Sequence, residues 1–110
     1  MNKRKKILME LLNYNTSLSS IKTQLDNYQW DSDELVKLEK KQINNILNKY
    51  LSNELSRNEI EEWANIIECR DDIEFENDEI KEIIYELANP LLTQNLTKEY
   101  AQILLKFLNK

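Results

Sequence analysis

The residues best able to do chemistry in this sequence of 110 residues are its carboxylates, and they are concentrated in one stretch. Positions 59–86 hold twelve of the twenty Asp and Glu residues but only two cations, Arg70 and Lys81. This acidic segment has a net charge of −10, whereas the rest of the chain has +5. Such a segment repels phosphate groups and attracts basic protein surfaces. We predict that it contacts a basic protein and that the chain makes no direct contact with nucleic acid.

The predicted contact residues are ten carboxylates of the acidic segment and one tryptophan outside it. Trp30 lies in a polar stretch between Asp26 and Asp33, where it is either an apolar lid on the core or an exposed anchor for a partner. The alternative for the carboxylates is a set of ordinary solvated helix faces in a protein of low pI. The carboxylates of the predicted contact surface are Glu61, Glu62, Glu68, Asp71, Asp72, Glu74, Glu76, Asp78, Glu79 and Glu82.

Other residue types offer little catalytic chemistry. Histidine is absent, which removes the commonest general base near neutral pH and the commonest transition-metal ligand. Glycine is also absent, so the sequence has no glycine-rich phosphate loop. Cys69 has no histidine to activate it, and we predict a small, buried or half-buried residue near a helix end. We predict that the chain is not an enzyme and binds no cofactor; catalysis by carboxylates alone is the remaining catalytic alternative.

A metal site is the other chemistry that clustered carboxylates suggest. The run from Asp71 to Glu79 superficially resembles a calcium-binding loop, but it lacks the glycine of the sharp turn and its oxygen spacing differs. Glu79, Glu82 and Glu86 recur at helical spacing, which is more typical of a solvated face than of a catalytic pair. We therefore predict no metal.

The N-terminus begins with a basic run at residues 3–6, followed by three apolar residues, which mimics the start of a secretory signal. Glu10 interrupts the apolar stretch at once, so we interpret the run as the solvated first turn of a helix. Contact with nucleic acid or an anionic membrane is the alternative. No stretch approaches the roughly 20 apolar residues of a membrane span. Since one cysteine allows no intrachain disulfide, we predict a cytoplasmic location without membrane contact.

Apolar residues recur at helical spacing in several segments, which predicts amphipathic helices around one core. Pro90 is the single proline, and the lack of glycine disfavours a sandwich or a doubly wound sheet. We predict an all-α fold: one domain over residues 1–110, a compact bundle of five or six short helices. One short extended segment near residues 72–76 is allowed, because Ile73 and Phe75 alternate with glutamates. Residues 35–38 either begin a helix early or form an extended lead-in.

Local capping patterns predict several helix boundaries. Ser17 is a candidate cap for the second helix, and Ser56 with Glu59 has the spacing of a capping box. Asn77 or Asp78 can cap a later helix, which should stop near residue 89 because of the following proline. Thr97 can cap the last helix, whose predicted apolar contacts are Tyr100, Ala101, Leu104, Leu105, Phe107 and Leu108. Trp63 lies on an apolar stripe and is predicted to be in the core, with its indole N–H donating to a carbonyl.

The C-terminal half also carries a family resemblance. It contains the sequences SRNEIEEWANIIECRDDIEFE, EIIYELANPLL and LTKEYAQILLKFL between Ser56 and Leu108. These resemble a group of small bacterial helical proteins, some of which act as immunity proteins beside polymorphic or contact-dependent growth inhibition toxins. The matching features are Trp63 with Ala64 and Asn65, Arg70 with Asp71, the run from Glu86 to Pro90, and Leu96 with Thr97. The resemblance implies a cytoplasmic antidote that binds a toxin domain.

Two functions therefore remain open. The first is an immunity protein that neutralises a cognate toxin, a basic nuclease in the simplest case, because an acidic helical surface can compete with phosphate backbones for a basic cleft. The second is a non-catalytic regulatory or scaffold module that binds another cytosolic protein. The sequence leaves the oligomeric state open.

Overall fold

The computed structural model describes residues 3–28 and 33–109, and these residues form six α-helices and two short β-strands. The helices are α1 (Lys3–Asn13), α2 (Leu18–Leu25), α3 (Lys40–Leu51), α4 (Arg57–Glu68), α5 (Asp78–Ala88) and α6 (Lys98–Leu108). The strands are β1 (Val36–Leu38) and β2 (Ile73–Phe75). The predicted helical bundle with an extended segment near residues 72–76 is confirmed.

The two strands form a small parallel sheet, in which Val36 is opposite Ile73 and Leu38 is opposite Phe75. For residues 35–38, the sequence allows either an early helix start or an extended segment. The structure has a strand at Val36–Leu38. Val36 and Leu38 are buried while Lys37 between them is exposed, which is the alternation of a strand with one face on the core. The sheet joins the N-terminal half of the chain to the acidic connection between α4 and α5.

Side-chain caps begin the helices where the sequence predicts them. The Ser56 hydroxyl accepts from the Glu59 N–H at 3.2 Å, and the Glu59 carboxylate accepts from the Ser56 N–H at 2.9 Å. This second hydrogen bond lowers the pKa of Glu59, because it stabilises the charged carboxylate. Ser17 caps α2, Asn77 rather than Asp78 caps α5, and Thr97 caps α6.

One continuous apolar core contains residues from all six of these helices. Trp63 of α4 is fully buried there, and its indole Nε1–H donates to the Leu11 carbonyl at 2.7 Å, which confirms the predicted role. Because an indole N–H buried without an acceptor would cost free energy, this bond fixes how α4 sits against α1. Helix α5 packs most extensively against α4, so the two helices of the acidic segment are neighbours.

Helix α6 packs mainly against α3, and Lys98 fastens its first turn there. The Lys98 ammonium donates to the Tyr50 carbonyl and, at 2.9 Å, to the Asn53 side chain, and it lies 4.1 Å from the centre of the Tyr50 ring. A cation at the C-terminal end of α3 is favourable, because the last carbonyls of a helix carry partial negative charge. Helix α5 packs on α4, and α6 packs on α3. As a result, α5 and α6 approach each other less closely than each approaches its own partner.

Candidate functional site

The packing of α4 against α5 collects six carboxylates on adjoining parts of the surface. Glu61 of α4 and Glu86 of α5 line one shallow cleft. Glu68 of α4 lines a second cleft together with two carboxylates of α5. We call the six residues the acidic surface: Glu61, Glu68, Asp78, Glu79, Glu82 and Glu86.

The carboxylates of the acidic surface form no salt bridge among the described residues, although Arg57 and Lys81 line the same clefts. None of the salt bridges within residues 3–28 and 33–109 involves any of the six. Glu68 instead accepts from the Asn89 side-chain amide at 3.3 Å, and Glu86 accepts from the Tyr100 hydroxyl at 3.0 Å. Burial, together with the Glu86 carboxylate, raises the pKa of Tyr100 to about 12, so its hydroxyl remains a donor at neutral pH. These neutral donors orient the two carboxylates and leave the net charge of the acidic surface unchanged.

The prediction that Asp72 belongs to the contact surface is wrong, because its side chain is fully buried. Arg4 and Arg70 each bring a guanidinium Nη2 within 2.9 Å of its Oδ2. A partner therefore has no access to this carboxylate, whose charge is already compensated. The interpretation of the basic N-terminal run as a solvated first turn is wrong for Arg4, because its side chain is only 17% exposed.

Glu62 is exposed as predicted and lines a cleft together with Glu61 of the acidic surface. Its carboxylate forms a salt bridge of 3.1 Å with Lys22 of α2, whereas Glu61 forms none within the described residues. The Glu62 charge is offset locally, and both partners remain about half exposed.

The connection between α4 and α5 contributes three further carboxylates of the predicted set. Asp71 is exposed, and Glu74 is half-buried on β2 opposite Lys37 of β1. Glu76 is exposed and accepts from the backbone N–H of Lys40 at 3.0 Å, so it stabilises the start of α3. Trp30, the remaining predicted contact residue, lies outside the described residues.

The prediction that Cys69 is buried or half-buried is wrong. This residue follows α4 directly, as predicted for a helix end, but it is exposed rather than buried or half-buried. It lies two positions beyond the buried Ile67, and two residues correspond to roughly 200° around a helix axis. Cys69 is therefore on the side of α4 opposite to the core.

A groove of about 440 Å³ separates α5 from α6 and combines acidic with apolar side chains. One wall consists of the four members of the acidic surface that belong to α5. The other wall is formed by α6, where Ile103 is 59% exposed and Phe107 is 39% exposed. The partly buried Tyr100 closes one end through its hydrogen bond to Glu86. We call this feature the α5–α6 groove.

The apolar wall of the groove was missed in the sequence. The pattern predicts Phe107 as one of the apolar contacts of the last helix, and Ile103 is not among them. Helix α6 in fact has two apolar stripes at the same spacing: Ala101, Leu104 and Leu108 face the core, while Tyr100, Ile103 and Phe107 line the groove. The second stripe is the pattern that could have indicated a binding face.

Neither a cluster of potential metal ligands nor a membrane-spanning helix is present among the described residues. In residues 3–28 and 33–109, no three His, Cys, Asp or Glu side chains are grouped as a metal ion would require. Within the same ranges, no helix has both the length and the apolar character needed to cross a membrane.

Comparison of the chain with family models, curated proteins and solved structures found no match.

Proposed function

We propose that this protein is a cytoplasmic immunity protein that binds a cognate toxin domain through the acidic surface and thereby neutralises it. The observation that supports the proposal is the cluster of six carboxylates on two packed helices, none of which has a salt-bridge partner among the described residues. Like charges held together oppose folding by mutual repulsion. A basic partner would relieve this repulsion on binding.

A nuclease domain is the toxin class that fits this surface best. A nuclease needs a basic cleft for the phosphate backbone, and clustered carboxylates can occupy such a cleft in place of phosphates. Opposite fields would also increase the association rate, which suits an antidote that must capture its toxin quickly. Inhibition by occupation needs no catalytic group, so we propose a binding protein and not an enzyme. The family resemblance of the C-terminal half supports the same function.

The proposal is tested by co-expressing the protein with the toxin encoded immediately upstream of its gene. Growth should be restored by the wild-type chain, since neutralisation requires nothing else. Continued toxicity, with the wild-type protein present in soluble form, would rule out the function. If no toxin gene is adjacent and purified basic nuclease domains are not inhibited, the alternative of a regulatory or scaffold module becomes the better explanation.

The electrostatic part of the proposal has its own test. The double variant Glu61→Lys/Glu79→Lys reverses two charges of the acidic surface, while Asp26→Lys/Glu54→Lys makes the same change in net charge at exposed sites elsewhere. Stopped-flow association with the purified toxin should slow by about tenfold or more at low salt for the first variant and much less for the second. The difference should shrink as salt screens the charges. Equal rates for both variants would refute the assignment of the surface.

A further inference from the structure

The α5–α6 groove is chemically asymmetric, and this asymmetry specifies what it can bind. Its α5 wall places carboxylates at positions 78, 79, 82 and 86, which span roughly 12 Å along the helix. Its α6 wall places Tyr100, Ile103 and Phe107 at spacings of three and four residues, which is one apolar stripe. The floor between the walls includes the buried side chains of Ile83 and Leu104.

We propose that the α5–α6 groove binds an amphipathic helix of the partner protein that has an apolar stripe and one basic flank. The identification of that partner with the toxin rests on the proposed function. The apolar stripe would contact Ile103, Leu104 and Phe107, and the basic flank would lie along α5. Lysines or arginines spaced at i, i+3 and i+7 match the spacing of Glu79, Glu82 and Glu86.

Charge complementarity favours this occupant over a second copy of the same chain. The protein has a net charge of −5, and a copy seated in the groove through the same face would bring two acidic walls together. The chain's own basic run is at the start of α1, whose apolar residues Ile7, Leu8 and Leu11 are buried in the core. That helix therefore has no free apolar stripe to offer to a neighbouring molecule.

The dimensions of the groove favour a helix over a small molecule. Helices α5 and α6 have 11 residues each, so the groove is bordered by walls roughly 16 Å long. A partner helix of about three turns has the same length, and its i, i+3 and i+7 side chains would follow the apolar stripe of α6. The exposed Ile103 and Phe107 can contact it without rearrangement of the core, because neither fills the interior.

The direct test uses a synthetic helical peptide of roughly 12 residues, covalently stapled because isolated short helices are unstable in water. The probe has leucines along one stripe and lysines along one flank, and the control peptide has glutamates in place of the lysines. Fluorescence anisotropy should detect binding of the lysine peptide to the wild-type protein. The glutamate peptide should bind at least about tenfold more weakly, because its flank repels the α5 wall.

Paired variants assign the binding to the two walls. Ile103→Ser/Phe107→Ser should weaken binding of the lysine peptide by about tenfold or more, whereas Leu91→Ser/Leu92→Ser should leave it unchanged. The control leucines are more exposed, at 96% and 74%, and do not line the groove. Replacement of the α5 acids Glu79 and Glu82 by glutamine should weaken binding about threefold at low salt and less at high salt. The matched control for charge is Glu62→Gln/Asp71→Asn.

Three outcomes would overturn the inference. The first is failure of the lysine peptide to bind the folded wild-type protein. The second is an equal loss of peptide affinity in the groove variants and in their controls. The third is a concentration-dependent dimer in sedimentation velocity that Ile103→Ser/Phe107→Ser abolishes, because the occupant would then be a second copy. Thermal unfolding followed by circular dichroism shows whether each variant is folded, and the glutamine pair tests the groove if the serine pair is not.

The groove and the proposed function can fail separately. If the wild-type chain protects cells from the toxin and the groove variants protect equally well, the groove inference is wrong while the immunity function stands. If the lysine peptide binds in the groove but the wild-type chain gives no protection, the groove assignment stands and the toxin is the wrong partner.

Discussion

Replacing Asp72 by Asn removes the negative charge from a buried site that two guanidinium groups share. Asp72 accepts from Arg4 Nε at 3.0 Å and Nη2 at 2.9 Å, and from Arg70 Nη2 at 2.9 Å. These bonds join the first turn of α1 to the residue directly before β2, 68 positions later in the sequence. In Asp72→Asn, the amide keeps one acceptor oxygen and turns its NH₂ group toward one of the cations.

The expected cost follows from the burial of the three side chains. Removing one partner of a buried ion pair destabilises a protein by about 3–5 kcal/mol. Arg4 and Arg70 keep 17% and 9% of their side-chain surface in contact with water, which can solvate part of the exposed charge. We therefore expect a loss at the lower end, about 3 kcal/mol, which corresponds to a fall in Tm of about 12 °C or more.

Asp71→Asn is the matched control, because Asp71 is the adjacent residue and is exposed. The free energy of unfolding of the Asp71→Asn variant should lie within about 0.5 kcal/mol of the wild-type value. Urea unfolding followed by far-ultraviolet circular dichroism gives both values, and an unchanged m-value would show that the two variants expose similar surface on unfolding. If Asp72→Asn is no less stable than Asp71→Asn, the buried charge cluster does not stabilise the fold as described.

A second comparison separates the loss of one partner from the removal of the whole cluster. In the triple variant Arg4→Met/Arg70→Met/Asp72→Leu, no buried charge is left unpaired, so it should be more stable than Asp72→Asn. A triple variant that is less stable would mean that the cluster itself, and not the charge imbalance, determines the stability.

Three further predictions concern single side chains. Trp63→Phe should lower the free energy of unfolding in urea by about 2–3 kcal/mol, because it leaves a cavity and removes the donor to the Leu11 carbonyl. Ser56→Ala should cost about 1 kcal/mol in the same assay, because the Glu59 N–H loses its cap, and equality with wild type would contradict this role. Ultraviolet titration should find two tyrosines with a pKa near 12, Tyr14 and Tyr100, and Tyr100→Phe should remove one of them, since the ordinary value is 10.0. Because the folded pKa of Tyr100 is raised, its contribution to stability is fully present below pH 10 and falls as the pH rises toward 12. A high-pH transition whose amplitude in Tyr100→Phe equals that of the wild type would contradict that assignment.

Much of the helical architecture could be predicted from the sequence, since helix-forming interactions connect residues three or four positions apart. The capping box at Ser56, the caps at Asn77 and Thr97, and the end of α5 before Pro90 all have local causes. The burial of Trp63 follows from the same helical periodicity. The clustering of acids in one segment is likewise a property of composition.

Tertiary packing decided which of those acids are accessible. Asp71 and Asp72 are adjacent, yet the first is exposed and the second is buried beneath Arg4, which lies 68 residues away in sequence. Val36–Leu38 forms a strand because Ile73–Phe75 offers backbone partners, and no local pattern could choose between strand and helix. Ile103 and Phe107 of the second apolar stripe of α6 remain partly accessible to solvent, because α6 packs on α3 while α5 packs on α4. Periodicity determines which side chains share a face of a helix, but the partner helix that covers a face is selected by contacts between residues distant in sequence.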